Sequence, residues 1–199
     1  MIITDSHIHS NFSSDSSESE EAIIETCISK GFCYVYFTDH HDMDFPINPQ
    51  EPDMDFQLDF PAYIKRLTEL REQYRDKIEV RFGVEQGICP ETAPRIADLS
   101  DSYPFDLVIG SSHLTALKDG DPYYPSYYEG KTNVEAYREY FESEAENIRL
   151  TDGFDVYGHL DYPIRYCPDK DFVFNFNDYR DIFEVLLKRL IDNGKGIEI

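Results

Sequence analysis

Apolar and polar positions along this 199-residue chain alternate between two spacings. Short apolar runs of strand type are followed by stretches in which apolar residues recur every three or four positions, as on one face of a helix. Ile2 to Asp5 opens the series as a strand. Ser17-x-x-Glu20 has the form of a capping box and predicts a helix with the stripe Ile23, Ile24, Cys27 and Ile28, ended by Gly31. Residues 33–41, CYVYFTDHH, predict a strand running into a loop, and residues 42–60, rich in Pro and Asp, hold no usable period and predict a long surface loop.

A helix over 61–74 carries Ile64, Leu67 and Leu70, and residues 78–88, IEVRFGVEQGI, form the third strand with Glu85 at its terminus. A short helix over 91–99 leads to the strand at 105–113, FDLVIGSSH, which ends on His113. An aromatic loop at 119–130 precedes a helix over 133–150 with Val134, Tyr137, Phe141, Ala145 and Ile148 on one face. Residues 154–166, FDVYGHLDYPIRY, supply a strand with His159 just past its end. The last helix, 179–193, carries Ile182, Phe183, Leu186, Leu187, Leu190 and Ile191, and GIEI at 196–199 is a sixth strand. Strands and helices in this alternation predict parallel strands with right-handed crossovers, an α/β sheet or barrel.

An apolar content of 41% with 15% aromatic residues is that of one globular domain. A formal charge of −22, from 18 Lys and Arg against 40 Asp and Glu, excludes the basic footprint that nucleic acid or an anionic membrane requires. An anionic substrate would need cations brought in. No apolar run approaches the length of a membrane span and no signal peptide opens the chain, so a cytoplasmic location is expected. Cys27, Cys33, Cys89 and Cys167 show no CxxC spacing and read as free, mostly buried thiols.

The chemistry lies in the histidines. In parallel α/β folds the active site forms at the carboxyl ends of the strands. All six histidines fall at such an end or just past it: His7 and His9, His40 and His41, His113, His159. His7 and His9 are also alternate residues of an extended segment, so their rings point to one side. Six from four strands need a common cause, and a shared metal site supplies one. Imidazole suits zinc, manganese or iron, and Glu85 and Asp15 add hard oxygen ligands. Asp15 is otherwise explained as an acid near a helix N-terminus.

HIH at 7–9, Asp15, TDHH at 38–41, GVEQG at 83–87, GSSH at 110–113 and GHLD at 158–161 together resemble the PHP (polymerase and histidinol phosphatase) superfamily, in its histidinol-phosphate phosphatase branch, along the whole chain. The resemblance implies a distorted (β/α)7 barrel, a single domain over 1–199, and up to three divalent metals. His7, His9 and Glu85 would hold the first metal. Glu85 would bridge to a second with His113 and His159, and Asp15 with His40 would hold the third. A hydroxide bridging two metals would attack phosphorus in line. His41 would orient the phosphate or protonate the leaving group, or simply pack beside His40. Arg165 would contact the phosphate or form a surface ion pair. Asp5, Asp39 and Asp161 would orient metal-bound histidines.

The family adds an Asp-x-His pair after a further strand, whereas no histidine follows His159 here. The expectation is therefore a C-terminally truncated domain with an exposed final strand and fewer metals, able to self-associate through that edge. The leading reading is a phosphomonoesterase of histidine biosynthesis that releases inorganic phosphate from L-histidinol phosphate, with the loops at 42–60 and 114–132 capping the small amine. A PHP-type phosphodiesterase or nuclease and a catalytically incomplete metal-binding domain are the alternatives.

Overall fold

The computed structural model describes residues 3–48, 51, 53–118 and 120–198. Ile2 and Ile199, the outer residues of the first and last predicted strands, lie outside them, as do positions 49, 50 and 52 of the first long loop and 119 of the second. The chain forms two compact units, one of Met1–Gln86 with Ser102–Ile109 and one of Gly87–Asp101 with Gly110–Ile199.

The first unit opens with β1 (Thr4–Asp5) and α1 (Glu20–Ser29), followed by β2 (Tyr34–Phe37), β3 (His40–Asp42), α2 (Phe60–Tyr74) and β4 (Glu79–Gly87). β1 and β4 both pair in parallel with β2, Thr4 opposite Tyr34 and Phe37 opposite Phe82. α1 starts later than the capping box predicts: Ser19, not Ser17, is the N-cap and accepts from the Ala22 amide. The reason is upstream, where the Glu18 carbonyl is already taken by the Asn11 amide and its own amide by Ser16. The exit is as predicted. Gly31 adopts φ +76, and the Gly31 and Phe32 amides close on Ile28 and Cys27, the double bond of a Schellman end.

α2 is capped by Asp59 and carries Pro61 in its first turn, where no amide partner is needed. Its buried face is Phe60, Tyr63, Leu67, Leu70 and Tyr74. Tyr63 rather than Ile64 leads the stripe, because its hydroxyl has a partner inside, the Gly83 carbonyl. Gly83 is required by a separate close approach: a Cβ there would meet the Phe37 carbonyl oxygen at 2.8 Å and Thr38 Cγ2 at 2.7 Å. The loop predicted to hold His40 and His41 is instead β3, a three-residue strand paired with β4, which makes seven strands among the described residues rather than six.

The second unit contains α3 (Ala93–Asp101), the end of β5 (Leu107–Ser111), α4 (Asn133–Leu150), β6 (Val156–Tyr157), α5 (Tyr162–Tyr166), α6 (Arg180–Asp192) and β7 (Gly196–Ile197). β7 pairs in parallel with β6, Val156 opposite Gly196. Residues 162–166, included in the predicted strand segment, are helical, with Pro163 in the first turn. α4 and α6 pack through an aromatic cluster built on Tyr137, Tyr140, Phe141, Tyr179 and Phe183. Val134 and Ile191, assigned to core stripes, are exposed instead (38% and 75%). The helix faces are rotated, and in α4 the stripe includes Glu144 and Asn147, both 0% exposed. Among the described residues no helix is long and apolar enough to cross a membrane.

Candidate metal centre

His7 and His9 lie just past β1, where the amide and carbonyl of Ile8 pair with Thr38. That pairing turns Ile8 one way and both imidazoles the other. Glu85, in β4, is fully buried, and one of its oxygens is the point of convergence. Oε2 lies 3.1 Å from His7 Nε2, 3.4 Å from His9 Nε2 and 3.1 Å from His40 Nδ1. His40 Nε2 lies 3.4 Å from Asp15 Oδ2, and its ring stacks on His9 at 4.3 Å.

Two ligand sets follow, His7–His9–Glu85 and His9–Asp15–His40, the potential ligand atoms of each lying within 4.8 Å of one another. Three nitrogens gathered around a buried carboxylate oxygen fit a divalent cation by donor chemistry. Partial burial pushes the Asp15 carboxyl up, but the hydrogen bond and charge of His40 outweigh it and hold Asp15 below its ordinary range. Asp42, which the sequence reading overlooked, is buried and 3.6 Å from His40 Nδ1. Its signal was the i, i+2 spacing in HHD, visible only once 40–42 is read as a strand.

Burial, with the positive charge of His40, lowers His9 from its ordinary value near 6.5 to about 4, against the opposing pull of Glu85 and Asp15. The folded value lies below the unfolded one, so the unfolded chain binds more protons between them and stability increases with pH across that window. The melting temperature of the metal-free protein is expected to fall progressively from pH 6.5 to pH 4. His9→Gln should flatten the decline, and equal slopes in the two proteins would reject His9 as its source.

Asp39 is buried beneath the site. It accepts from the Ser10 amide at 2.6 Å, from the Ser10 hydroxyl at 3.0 Å and from the Ser13 hydroxyl at 3.0 Å. Burial raises its carboxyl pKa while these donors oppose the rise. Asp39 thus grips the loop that carries the ligands. Asp5 is exposed, and its carboxylate receives the His7 amide at 3.4 Å.

His41 points elsewhere. Alternation along β3 turns it away from His40 and Asp42, its Nδ1 accepts from the Leu58 amide at 3.1 Å, and its ring packs on Phe60. In the second unit, His113 and His159 come together with ring centroids 5.3 Å apart, and Tyr162 lies against both. Ser112, just before His113, is held from three directions: Tyr140 donates to its carbonyl, Asn147 donates to its hydroxyl, and Tyr157 shares a hydroxyl contact with it. Asp161 is exposed at the start of α5 with no capping bond. Arg165 is exposed, and its guanidinium forms no ion pair among the described residues. The aromatic loop is only partly a candidate cap, because Tyr127 and Tyr128 belong to the core cluster.

The PHP domain family matches residues 5–199. The chain is 34% identical to the histidinol-phosphatase of Lactococcus lactis subsp. lactis (strain IL1403), over 98% of this chain and 70% of that one. It is 29% identical to a probable histidinol-phosphatase of Clostridium acetobutylicum, over 100% of this chain and 72% of that one. A crystal structure of histidinol phosphate phosphatase from Lactococcus lactis, complexed with zinc, L-histidinol and phosphate, superposes with a TM-score of 0.88 at 34% identity, over 98% of this chain and 72% of that one.

Proposed function

This chain belongs to the PHP domain family, and from that membership we infer that it is a metal-dependent phosphomonoesterase that hydrolyses L-histidinol phosphate to L-histidinol and inorganic phosphate. The observation that carries the reading is the convergence of His7, His9 and His40 on the buried Oε2 of Glu85, in an α/β fold shared with a phosphatase that binds zinc, histidinol and phosphate. We read residues 1–199 as one PHP domain, acting in histidine biosynthesis in the cytoplasm.

His7, His9 and Glu85 hold one divalent metal in this reading, and Asp15 with His40 holds another. On the resemblance in sequence, His113 and His159 are assigned as ligands of the remaining metal. Zinc, manganese or iron bound by such ligands supplies a nucleophilic water near neutral pH and offsets the charge of the phosphate oxygens. The protein's own part is to hold neutral imidazoles and ionised carboxylates in place. Among 40 acidic residues the metals also provide the positive charge that draws an anionic ester in.

Arg165 is proposed as the second phosphate contact: its planar fork matches phosphate oxygens, and no carboxylate among the described residues occupies it. Losing a charge-assisted hydrogen bond of about 1.5–3 kcal/mol would lower kcat/KM roughly ten- to a hundredfold in Arg165→Ala. The change should appear mainly in KM, with Arg165→Lys recovering part of it. Unaltered kinetics would leave Arg165 as a surface residue.

Elemental analysis of the purified chain, paired with phosphate release from L-histidinol phosphate in added manganese or zinc, tests the whole reading. Two or more metals with turnover support it. One metal or none, without turnover, would instead describe a catalytically incomplete metal-binding domain.

A further inference from the structure

Ser13 stands apart from the expected ligands. It is 2% exposed, and its single hydroxyl touches three groups of the centre. Asp39 Oδ1 is at 3.0 Å, the His40 amide nitrogen at 2.8 Å and His9 Nδ1 at 3.4 Å. A serine hydroxyl has one proton to give and two lone pairs to accept with.

The amide of His40 can only donate, so it consumes one lone pair. The proton must go to Asp39. If it went to His9, two unprotonated oxygens, Ser13 Oγ and Asp39 Oδ1, would face each other at 3.0 Å inside the protein. Asp39 Oδ1 is an established acceptor there, since it already takes the Ser10 amide. The second lone pair of Ser13 therefore faces His9 Nδ1, and that contact is favourable only if Nδ1 carries a hydrogen.

We propose that Ser13 is a positioning residue for the metal centre: it holds His9 as the Nδ1–H tautomer, so that Nε2 presents a bare lone pair toward Glu85 Oε2, 3.4 Å away. Two acceptors facing each other at that distance repel unless a cation lies between them. Proton counting around one serine thus prepares the place where a metal binds. The inference rests on the reading of His9 as a metal ligand. It adds that the ligand nitrogen is Nε2 and that the tautomer is set by a three-member relay, Asp39–Ser13–His9, which also anchors the backbone of His40.

Long-range proton–nitrogen NMR on the full chain with labelled histidine, metal-free at pH 7.5, reads the tautomer directly. His9 is expected to show a protonated Nδ1 and an unprotonated Nε2; a proton on Nε2 overturns the proposal. Zinc titrated into the metal-free protein against a chromophoric chelator is the second readout. Ser13→Ala should weaken zinc binding roughly ten- to a hundredfold, the range for a group that orients a ligand, and Ser13→Thr should restore much of it. A Ser13→Ala protein with unchanged melting temperature and wild-type zinc affinity rejects the role. If that variant fails to fold, the tautomer in the wild-type protein decides alone. If the wild type binds zinc but releases no phosphate, the phosphatase reading fails and the proposal stands. If it binds no zinc, the metal-centre reading fails while the tautomer still decides the proton assignment.

Discussion

Glu85→Gln is expected to abolish phosphate release and metal binding together while leaving the metal-free protein folded. The substitution keeps the side chain's size but removes the charge on the oxygen that His7, His9 and His40 surround at 3.1–3.4 Å. An amide nitrogen or a neutral carbonyl at that point cannot balance a divalent cation. Without the metal the reaction loses both its nucleophile and several kcal/mol of charge stabilisation on phosphorus, and at about 1.36 kcal/mol per factor of ten the loss in kcat/KM is roughly a thousandfold or more. The metal-free melting temperature should change little or rise, because a buried charge has been removed. Zinc, which should raise the melting temperature of the wild type by mass action, should leave that of the variant unmoved. A variant that still binds metal at wild-type stoichiometry would show that the centre is not organised on Glu85.

Asp39→Ala is expected to act on stability first. It strands the Ser10 amide, the Ser10 hydroxyl and the Ser13 hydroxyl in a buried place. Orphaned buried donors cost about 1–3 kcal/mol each before relaxation, so a net loss of roughly 3–5 kcal/mol is reasonable for the group. At about 2–4 °C per kcal/mol for a chain of this length, the melting temperature falls by about 10 °C. Asp39→Asn keeps the oxygen that accepts from Ser10 and Ser13 and should lose far less. Scanning calorimetry of the three metal-free proteins checks the order wild type, Asn, Ala; an alanine variant melting with the wild type would mean the loop is held by something else.

Asp39 also shows where the sequence could be read and where it could not. The histidines and Glu85 were legible because their positions follow from chain periodicity: a strand end is a local property, and HIH spacing fixes which way two rings face. Of the supports only Asp39 was named from the sequence, as an acid that would orient a histidine. Ser10 and Ser13 are ordinary polar residues in a loop, and only the fold reveals that a carboxylate 26 residues from Ser13 accepts its hydroxyl hydrogen bond. Helix α4 fails the sequence reading for a related reason. A stripe read by hydrophobicity alone selects Val134, whereas the buried face turns to include Glu144 and Asn147, the latter donating to the Ser112 hydroxyl. β3 was hidden by its length, since three residues with two histidines offer no β pattern to count.

The grip on Ser112 has a consequence for how this chain can change over time. Ser112, Tyr140, Asn147 and Tyr157 exchange hydrogen bonds within a buried cluster, and Asn147 also reaches the Ile88 carbonyl. A single replacement at any of them leaves a neighbour's polar atom stranded, so these positions should drift as a set or hardly at all, whereas the solvent face of the same helix can vary one residue at a time. New specificities in descendants of this chain would then arise from loop tips and exposed helix positions. The polar cluster, although no expected ligand belongs to it, would be among the slowest-changing parts of the molecule.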